Sequence, residues 1–220
     1  MRDAVNKKYY DPRTGMYASG TQAGQAAALY FGVVPASETR KVADGLAKLV
    51  NKEDNHLNFG SMGAKCVLRA LTNYGYADLA YEMASKEDHP SWLAWIHDGY
   101  TTLAETWILS PQFRDASLDH VFFGDISAWL VNDIVGIKPD VEAPGFSHFF
   151  ITPHFVKGLD HAKASYDSVK GKIEVGWTRK GDKIVLETTI PSNTTASLRV
   201  GGSFGQMELR PGRHVIDIDI

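Results

Sequence analysis

The stretch KPDVEAPG, residues 138–145, separates two parts of the sequence that differ in hydrophobic period. Before it, apolar residues recur every three to four positions, which is typical of amphipathic helices. After it, apolar and polar residues alternate, which is typical of strands with one buried face. Because proline and glycine cluster in this stretch, it is also a candidate boundary between folded units. The sequence therefore predicts a mainly helical domain over residues 1–140 and a separate all-β domain over residues 141–220.

The N-terminal part contains several short amphipathic segments. Thr21 precedes QAGQAAALYF and can cap a helix that stops just before Gly32. Three further predicted faces are Val42, Leu46, Leu49 and Val50; Met62, Cys66 and Ala70; and Phe122, Ile126, Trp129, Leu130 and Ile134. Asp78 begins another short helix. Because loops between such helices are short, antiparallel helical hairpins are expected, with residues 20–136 almost entirely helical.

The C-terminal part contains several runs with a period of two. Ile173, Val175 and Trp177 alternate with polar residues or glycine, and Lys180-Gly181-Asp182 follows as a turn. The apolar positions of the later runs are Ile184, Leu186, Thr188 and Ile190; Ala196, Leu198 and Val200; and Ile216, Ile218 and Ile220. Short strands with one polar face predict an antiparallel β-sandwich after residue 146.

Composition excludes several classes of protein. The net charge of −3 does not favour a nucleic-acid or anionic-membrane partner. No apolar run reaches the length of about eighteen residues that suggests a membrane span. A single cysteine, Cys66, excludes an internal disulfide and leaves the cellular compartment open. Because no HExxH motif, Cys/His cluster or phosphate-binding glycine loop occurs, no metal or other cofactor is expected.

The segment over residues 90–124 combines residue types that suit a sugar site. It contains Trp92, Trp95 and Trp107, and it places Glu105 in the sequence GYTTLAETW. Aromatic rings stack on the C–H faces of sugars, while polar groups bind the hydroxyls. Glu105 is therefore the candidate for a catalytic carboxylate. The alternative is that it is a buried or capping acid in a loop.

Histidines supply further candidates. His120 precedes a helix expected to begin near Val121, where a neutral imidazole could hydrogen-bond a sugar hydroxyl. The alternative is a histidine that is satisfied in the core or caps a loop. His148 and His154 alternate with phenylalanine in SHFFITPHF and are expected at the surface.

Several blocks resemble bacterial α-L-rhamnosidases. They are ASGTQAGQAAALYFGVVP (18–35), HLNFGSMGAKCVLRALTNYGYADLAYEMA (56–84), HPSWLAWIHDGYTTLAETW (89–107) and SLDHVFFGDISAWL (117–130). The strand-rich part is similar to the C-terminal sandwich of that family. The resemblance covers nearly the whole chain, and its TT…ETW and SLxHxxFG blocks are the specific ones.

The resemblance implies a partial (α/α)6 catalytic barrel followed by a β-sandwich. It also implies inverting hydrolysis of terminal α-L-rhamnose from a glycoside or polysaccharide, with no cofactor. Glu105 matches the general base of the family, and His120 matches a histidine that contacts the sugar. Trp107 matches the aromatic residue after the base, and Trp92 is expected to help shape the sugar pocket.

Two departures from the family pattern stand out. Ala104 replaces a residue that is usually bulky, and the upstream DxxRxxxWxGD block that carries the general acid is missing. The other acids nearby, Asp98, Asp115, Asp119 and Asp125, occupy positions that suit turns, caps or a helix interior. We therefore expect a C-terminal fragment that is inactive alone and can self-associate through unpartnered helix faces.

Two alternatives stay open at this point. The chain could be a non-catalytic carbohydrate-binding or assembly protein built from a half-barrel and a sandwich. It could also belong to a related barrel hydrolase that acts on another sugar, because a fold does not determine a substrate.

Overall fold

The computed structural model describes residues 1–108, 116–201 and 204–220, and it forms two compact units, Met1–Ile126 and Ser127–Ile220. The first unit contains the helices α1 (Arg2–Tyr9), α2 (Gln22–Tyr30), α3 (Thr39–Lys52), α4 (Ser61–Ala64), α5 (Val67–Asn73), α6 (Ala77–Ala84) and α7 (Trp92–His97). It also contains a 3-10 turn (Ala36–Glu38) and a small hairpin of β1 (Tyr10–Asp11) and β2 (Met16–Tyr17). A helical stretch follows as a 3-10 turn (Val121–Gly124), α8 (Asp125–Trp129) and a π-helical turn (Leu130–Val135). The assignment of residues 1–140 and 141–220 as the two domains stays a prediction.

Helix α2 begins and ends where the sequence predicts. The Thr21 hydroxyl accepts a hydrogen bond from the Gly24 N–H at 3.1 Å, which satisfies one of the free donors of the first turn. Gly32 follows the last turn with a φ of +61°, a conformation that glycine adopts without strain. Both predicted signals are confirmed.

In helix α3, Val42, Leu46 and Val50 of the predicted apolar face are fully buried, and Leu49 is half-buried. This face packs against α2, and α5 packs against both α2 and α6. The first unit is thus built from neighbouring helices that share one apolar core. None of the described helices is both long and apolar enough to cross a lipid bilayer.

The predicted helix through Met62, Cys66 and Ala70 is only partly correct. Two short helices, α4 and α5, replace it, and the Met62 side chain is 77% exposed. At Gly63, an added Cβ would meet the Cβ of Phe59 at 2.5 Å, so the glycine allows α4 to lie close to Phe59. The two helices do not share one period.

The expectation of almost continuous helix over residues 20–136 is wrong for residues 53–60, 85–91, 98–108 and 116–120, which form no helix. In the last two stretches, backbone groups bond to a second segment, as in Glu105 N–H to Ser117 O at 2.8 Å, and this replaces the helical pattern. The helical stretch that follows changes type twice, so its turns do not keep one period.

The second unit contains two four-stranded sheets. Its strands are β3 (Ile137–Pro139), β4 (His148–Ile151), β5 (His161–Ser168), β6 (Gly171–Lys180), β7 (Lys183–Ile190), β8 (Thr195–Val200), β9 (Gly205–Leu209) and β10 (Gly212–Asp219). One sheet has the antiparallel order β10-β7-β6-β5. The predicted inward residues Ile173, Trp177 and Leu186 are each at most 1% exposed, which confirms the period-two pattern in β6 and β7. In the run that forms β10 the prediction is wrong at Ile220, which is 53% exposed.

The other sheet, in the order β3-β4-β8-β9, corrects the expectation of a purely antiparallel arrangement. Strands β4 and β8 pair in parallel, with His148 opposite Thr195 and Ile151 opposite Leu198. Three whole strands of the first sheet separate β4 from β8 in the chain, so no hairpin turn fixes their relative direction. An alternating pattern records which face is buried but not the direction of the partner strand.

Candidate active site

Two segments without helix or strand place the candidate residues next to one another in the first unit. Glu105 N–H donates to Ser117 O at 2.8 Å, and His120 N–H donates to Leu103 O at 2.7 Å. The Thr102 hydroxyl also donates to Leu118 O. Glu105 and His120, which are fifteen positions apart in the sequence, therefore lie on paired segments.

The Glu105 side chain is exposed, and its orientation is set by the partner segment. Its Oε2 atom accepts a hydrogen bond from the Ser117 N–H at 2.9 Å. Ala104, immediately before it, is fully buried. Ala104 thus points inward and Glu105 outward. The carboxylate lies at the surface of the unit, and the small side chain of Ala104 lies in the packed interior.

The segment that carries Glu105 continues into an aromatic cluster centred on Trp107. The Trp107 ring stacks on Trp95, with centroids 4.7 Å apart and planes at 27°. It meets Trp92, Phe123 and Phe59 edge to face at 4.9, 4.3 and 6.0 Å. Aromatic pairs in such geometries each contribute about 0.5–1.5 kcal/mol beyond the area they bury.

The indole N–H groups join this cluster to three separate backbone segments. Trp92 donates to Phe123 O at 3.1 Å, and Trp95 donates to Trp107 O at 2.9 Å. Trp107 donates to Phe59 O at 2.6 Å. Each ring thus carries both packing and a directed hydrogen bond, which fixes the loop on which Glu105 lies.

Trp92 and Trp107 occupy different positions in the cluster. Trp92 lies at the start of α7, where the Ser91 hydroxyl caps the helix by accepting from Ala94 N–H at 2.9 Å. Its side chain is 6% exposed, whereas Trp107 is half-buried. Little of the Trp92 ring is open to a ligand, so its effect on a sugar pocket would pass through Trp107.

His120 lies at the start of the 3-10 turn, as expected. It is half-buried and has extended backbone angles at the N-cap position. Its ring lies 5.2 Å from that of Phe122 and 6.5 Å from that of Phe123, edge-on to the first. The predicted apolar face through Phe122 is wrong at this point, because Phe122 is 52% exposed and Phe123 is fully buried.

Two acids near the candidate site are engaged in pairs. Asp98 Oδ2 lies 2.7 Å from His89 Nε2, across the ends of α7. Asp125 Oδ2 accepts from both Arg69 Nε and Arg69 Nη2, at 3.1 and 2.9 Å. In the part of the chain that the structure describes, no three His, Cys, Asp or Glu side chains form a group able to hold a metal ion.

Phe59 and Phe123 were not predicted from the sequence as residues of this site. Phe59 and Phe123 belong to the cluster, and each also offers a backbone carbonyl to an indole. A hydrogen bond to a main-chain carbonyl leaves no trace in the identity of the residue that offers it. The tryptophans themselves were the available signal, because a buried indole N–H requires an acceptor.

Two family models match the chain. The bacterial alpha-L-rhamnosidase 6 hairpin glycosidase domain matches residues 1–134, and the bacterial alpha-L-rhamnosidase C-terminal domain matches residues 136–211. An alpha-L-rhamnosidase from Alteromonas sp. (strain LOR) is 34% identical over 183 residues, which is 80% of this chain and 20% of that protein. The chain thus spans about a fifth of the length of this curated relative.

Solved structures agree with these matches. The crystal structure of a Streptomyces avermitilis alpha-L-rhamnosidase complexed with L-rhamnose has a TM-score of 0.90 at 25% identity, over 99% of this chain and 23% of that one. The alpha-L-rhamnosidase from Aspergillus terreus has a TM-score of 0.91 at 25% identity, over 99% of this chain and 26% of that one. The chain therefore belongs to the bacterial α-L-rhamnosidase family, with a six-hairpin glycosidase part followed by the C-terminal domain of that family.

Proposed function

We propose that this chain supplies the general-base side of the active site in an inverting α-L-rhamnosidase. Glu105 acts as the base, His120 binds a sugar hydroxyl, Trp107 forms a wall of the pocket and Trp92 supports that wall. The observation that carries the proposal is the pairing of the Glu105 and His120 segments on the Trp107 cluster, in a chain of this family. The substrate class is a glycoside or polysaccharide with terminal α-L-rhamnose.

The chemistry assigned to Glu105 is activation of water. Its carboxylate removes a proton as the water oxygen attacks the anomeric carbon, and the bond to the leaving oxygen breaks on the opposite face. A separate acid protonates that oxygen. In inverting enzymes the two carboxyl groups are roughly 6.5–9.5 Å apart, which leaves room for the water. The Ser117 N–H bonds to Oε2 and so orients the carboxylate, and the side chain stays exposed.

The general acid is proposed to lie upstream, outside this chain. Asp98 and Asp125 are engaged with His89 and Arg69, as described above. Asp119 is exposed on the segment paired with Glu105, and Asp115 lies outside the described residues. The small share of the relatives that this chain covers supports a second contribution from the rest of a longer protein.

The finer architecture follows from the same proposal. The helical unit forms part of an (α/α)6 barrel, and the two sheets of the second unit pack as a β-sandwich. Part of a barrel leaves apolar side chains without neighbours, and Phe31 and Ile96 are each 66% exposed. The isolated chain is therefore expected to self-associate, which light scattering can detect.

The test is a panel of aryl glycosides offered to the full-length protein and to the 220-residue chain. Hydrolysis of the α-L-rhamnoside by the full-length protein, with β-L-rhamnose as the first product by NMR, is the expected result. Release of α-L-rhamnose would refute inversion. Preference for another glycoside would refute the substrate, and binding without turnover would favour a carbohydrate-binding protein. Turnover by the 220-residue chain would show that the chain contains its own acid.

A further inference from the structure

Helix α2 carries two buried glutamines, Gln22 and Gln25, which are 3% and 0% exposed. A buried amide is costly unless both of its ends are hydrogen-bonded. Gln22 Oε1 accepts from Asn58 N–H at 2.9 Å, and Gln22 Nε2 donates to His56 O at 3.0 Å. One side chain thus holds two backbone groups of a segment that lies more than thirty positions away in the sequence.

The segment held by Gln22 leads directly to the aromatic cluster. Phe59 follows Asn58, and its carbonyl is the acceptor of the Trp107 indole N–H at 2.6 Å. The Phe59 ring is also in edge contact with Trp107. Trp107 is two residues from Glu105. Asn58, whose N–H the Gln22 amide binds, therefore directly precedes Phe59, whose carbonyl accepts the hydrogen bond from Trp107 in the Glu105 loop.

We propose that Gln22 is a positioning residue for the Glu105 loop, acting through Phe59 and Trp107. Its two hydrogen bonds fix the backbone before Phe59, which fixes the direction of the Phe59 carbonyl and so the orientation of the Trp107 ring. The kinetic consequence of this placement rests on the proposed function of Glu105. A misplacement of about 1 Å at a reacting group can lower a rate by about a hundredfold.

Gln25 provides a matched control. It belongs to the same helix and is at least as buried, and its amide is also fully bonded. Its Oε1 accepts from Tyr17 N–H at 2.6 Å, and its Nε2 donates to Gly15 O at 3.1 Å and to Val42 O at 3.3 Å. None of these three partners belongs to the aromatic cluster described above. Loss of the Gln25 bonds should therefore disturb the fold without moving Trp107.

The experiment compares Gln22→Met and Gln25→Met in the full-length protein, because methionine matches glutamine in length and lacks its hydrogen bonds. Three quantities are measured well below both unfolding midpoints: kcat and KM on an aryl α-L-rhamnoside, near-ultraviolet circular dichroism of the tryptophans, and Tm. Gln22→Met is expected to lower kcat by about tenfold or more, with a smaller change in KM, and to alter the tryptophan signal. Gln25→Met is expected to lower Tm with little change in kcat or in that signal.

Equal changes in the tryptophan signal and in kcat for the two variants, at comparable Tm, would overturn the inference and leave both glutamines as structural groups. An unchanged tryptophan signal in Gln22→Met would overturn it as well. If the unmodified full-length protein does not hydrolyse rhamnosides, the proposed function fails. The tryptophan signal then decides the inference alone, because it does not depend on turnover.

Discussion

The substitution Glu105→Gln in the full-length protein isolates the role of one carboxylate. The side chain is exposed, and among the described residues its Oε2 accepts a hydrogen bond from the Ser117 N–H, 2.9 Å away. The amide oxygen of glutamine can accept the same bond. No buried group changes, so the free energy of unfolding should change by less than about 0.5 kcal/mol, as for ordinary surface substitutions.

The kinetic effect should be far larger than the effect on stability. A general base contributes about 10²–10⁴ to a rate. At about 1.36 kcal/mol for each tenfold change, this corresponds to about 3–5 kcal/mol of activation free energy. We therefore expect kcat to fall at least about a hundredfold. Because the lost step is activation of water, added azide should restore turnover and give a β-L-rhamnosyl azide.

The assay is the initial rate on an aryl α-L-rhamnoside, with Tm measured on the same preparation. Asp119→Asn is the matched control, since Asp119 is an exposed acid on the segment paired with Glu105. The control should keep kcat within about threefold of the unmodified protein. A folded Glu105→Gln protein with a rate within about tenfold of normal would show that Glu105 is not the base.

Two further predictions concern the second unit. Gly136→Ala should lower the free energy of unfolding by about 3 kcal/mol or more, measured in urea, because Gly136 has a φ of +99° and an added Cβ would lie 2.4 Å from Pro153 N. Gly181→Ala, with a φ of +65° and open space around it, should cost only about 1 kcal/mol. Burial lowers the pKa of His154, so the unfolded chain takes up a proton more readily than the folded chain. The free energy of unfolding should therefore fall as the pH drops below about 6.5, and it should fall less in His154→Gln. Equal losses of unfolding free energy in Gly136→Ala and Gly181→Ala would contradict the first prediction. A stability difference between the unmodified protein and His154→Gln that does not change with pH would contradict the second.

Local signals explain what the sequence could predict about the fold. The Thr21 cap, the Val42–Val50 face and the alternation in β6 each depend on contacts within one element and its nearest neighbour. The parallel pairing of β4 with β8 depends on residues nearly fifty positions apart, and no local pattern carries its direction. His154 shows the same limit. The expectation of a surface position is wrong, because the residue is half-buried and its Nδ1 lies 2.8 Å from Asp133 O.

The residue types of the candidate site could be predicted from the sequence, but the contacts that hold them in place could not. Tryptophans beside a Thr-rich acidic loop marked the region, and the family resemblance assigned roles to Glu105 and His120. The change from 3-10 to α to π geometry was not visible in the sequence. Each type has a different number of residues per turn, so a face drawn with a 3.6-residue period selects Phe122 where Phe123 is the buried ring.

The contacts of the Glu105 loop also predict how substitutions elsewhere would lower activity. Residues 98–108 have neither helix nor strand, and such a segment would ordinarily be among the first to open in local unfolding. Here the indole N–H groups of Trp92 and Trp107 end on the Phe123 and Phe59 carbonyls, which belong to distant parts of the first unit. The position of Glu105 therefore depends on elements far from it in sequence. Substitutions that loosen those elements should reduce activity before they unfold the protein, because the loop has little regular structure of its own to hold the carboxylate in place.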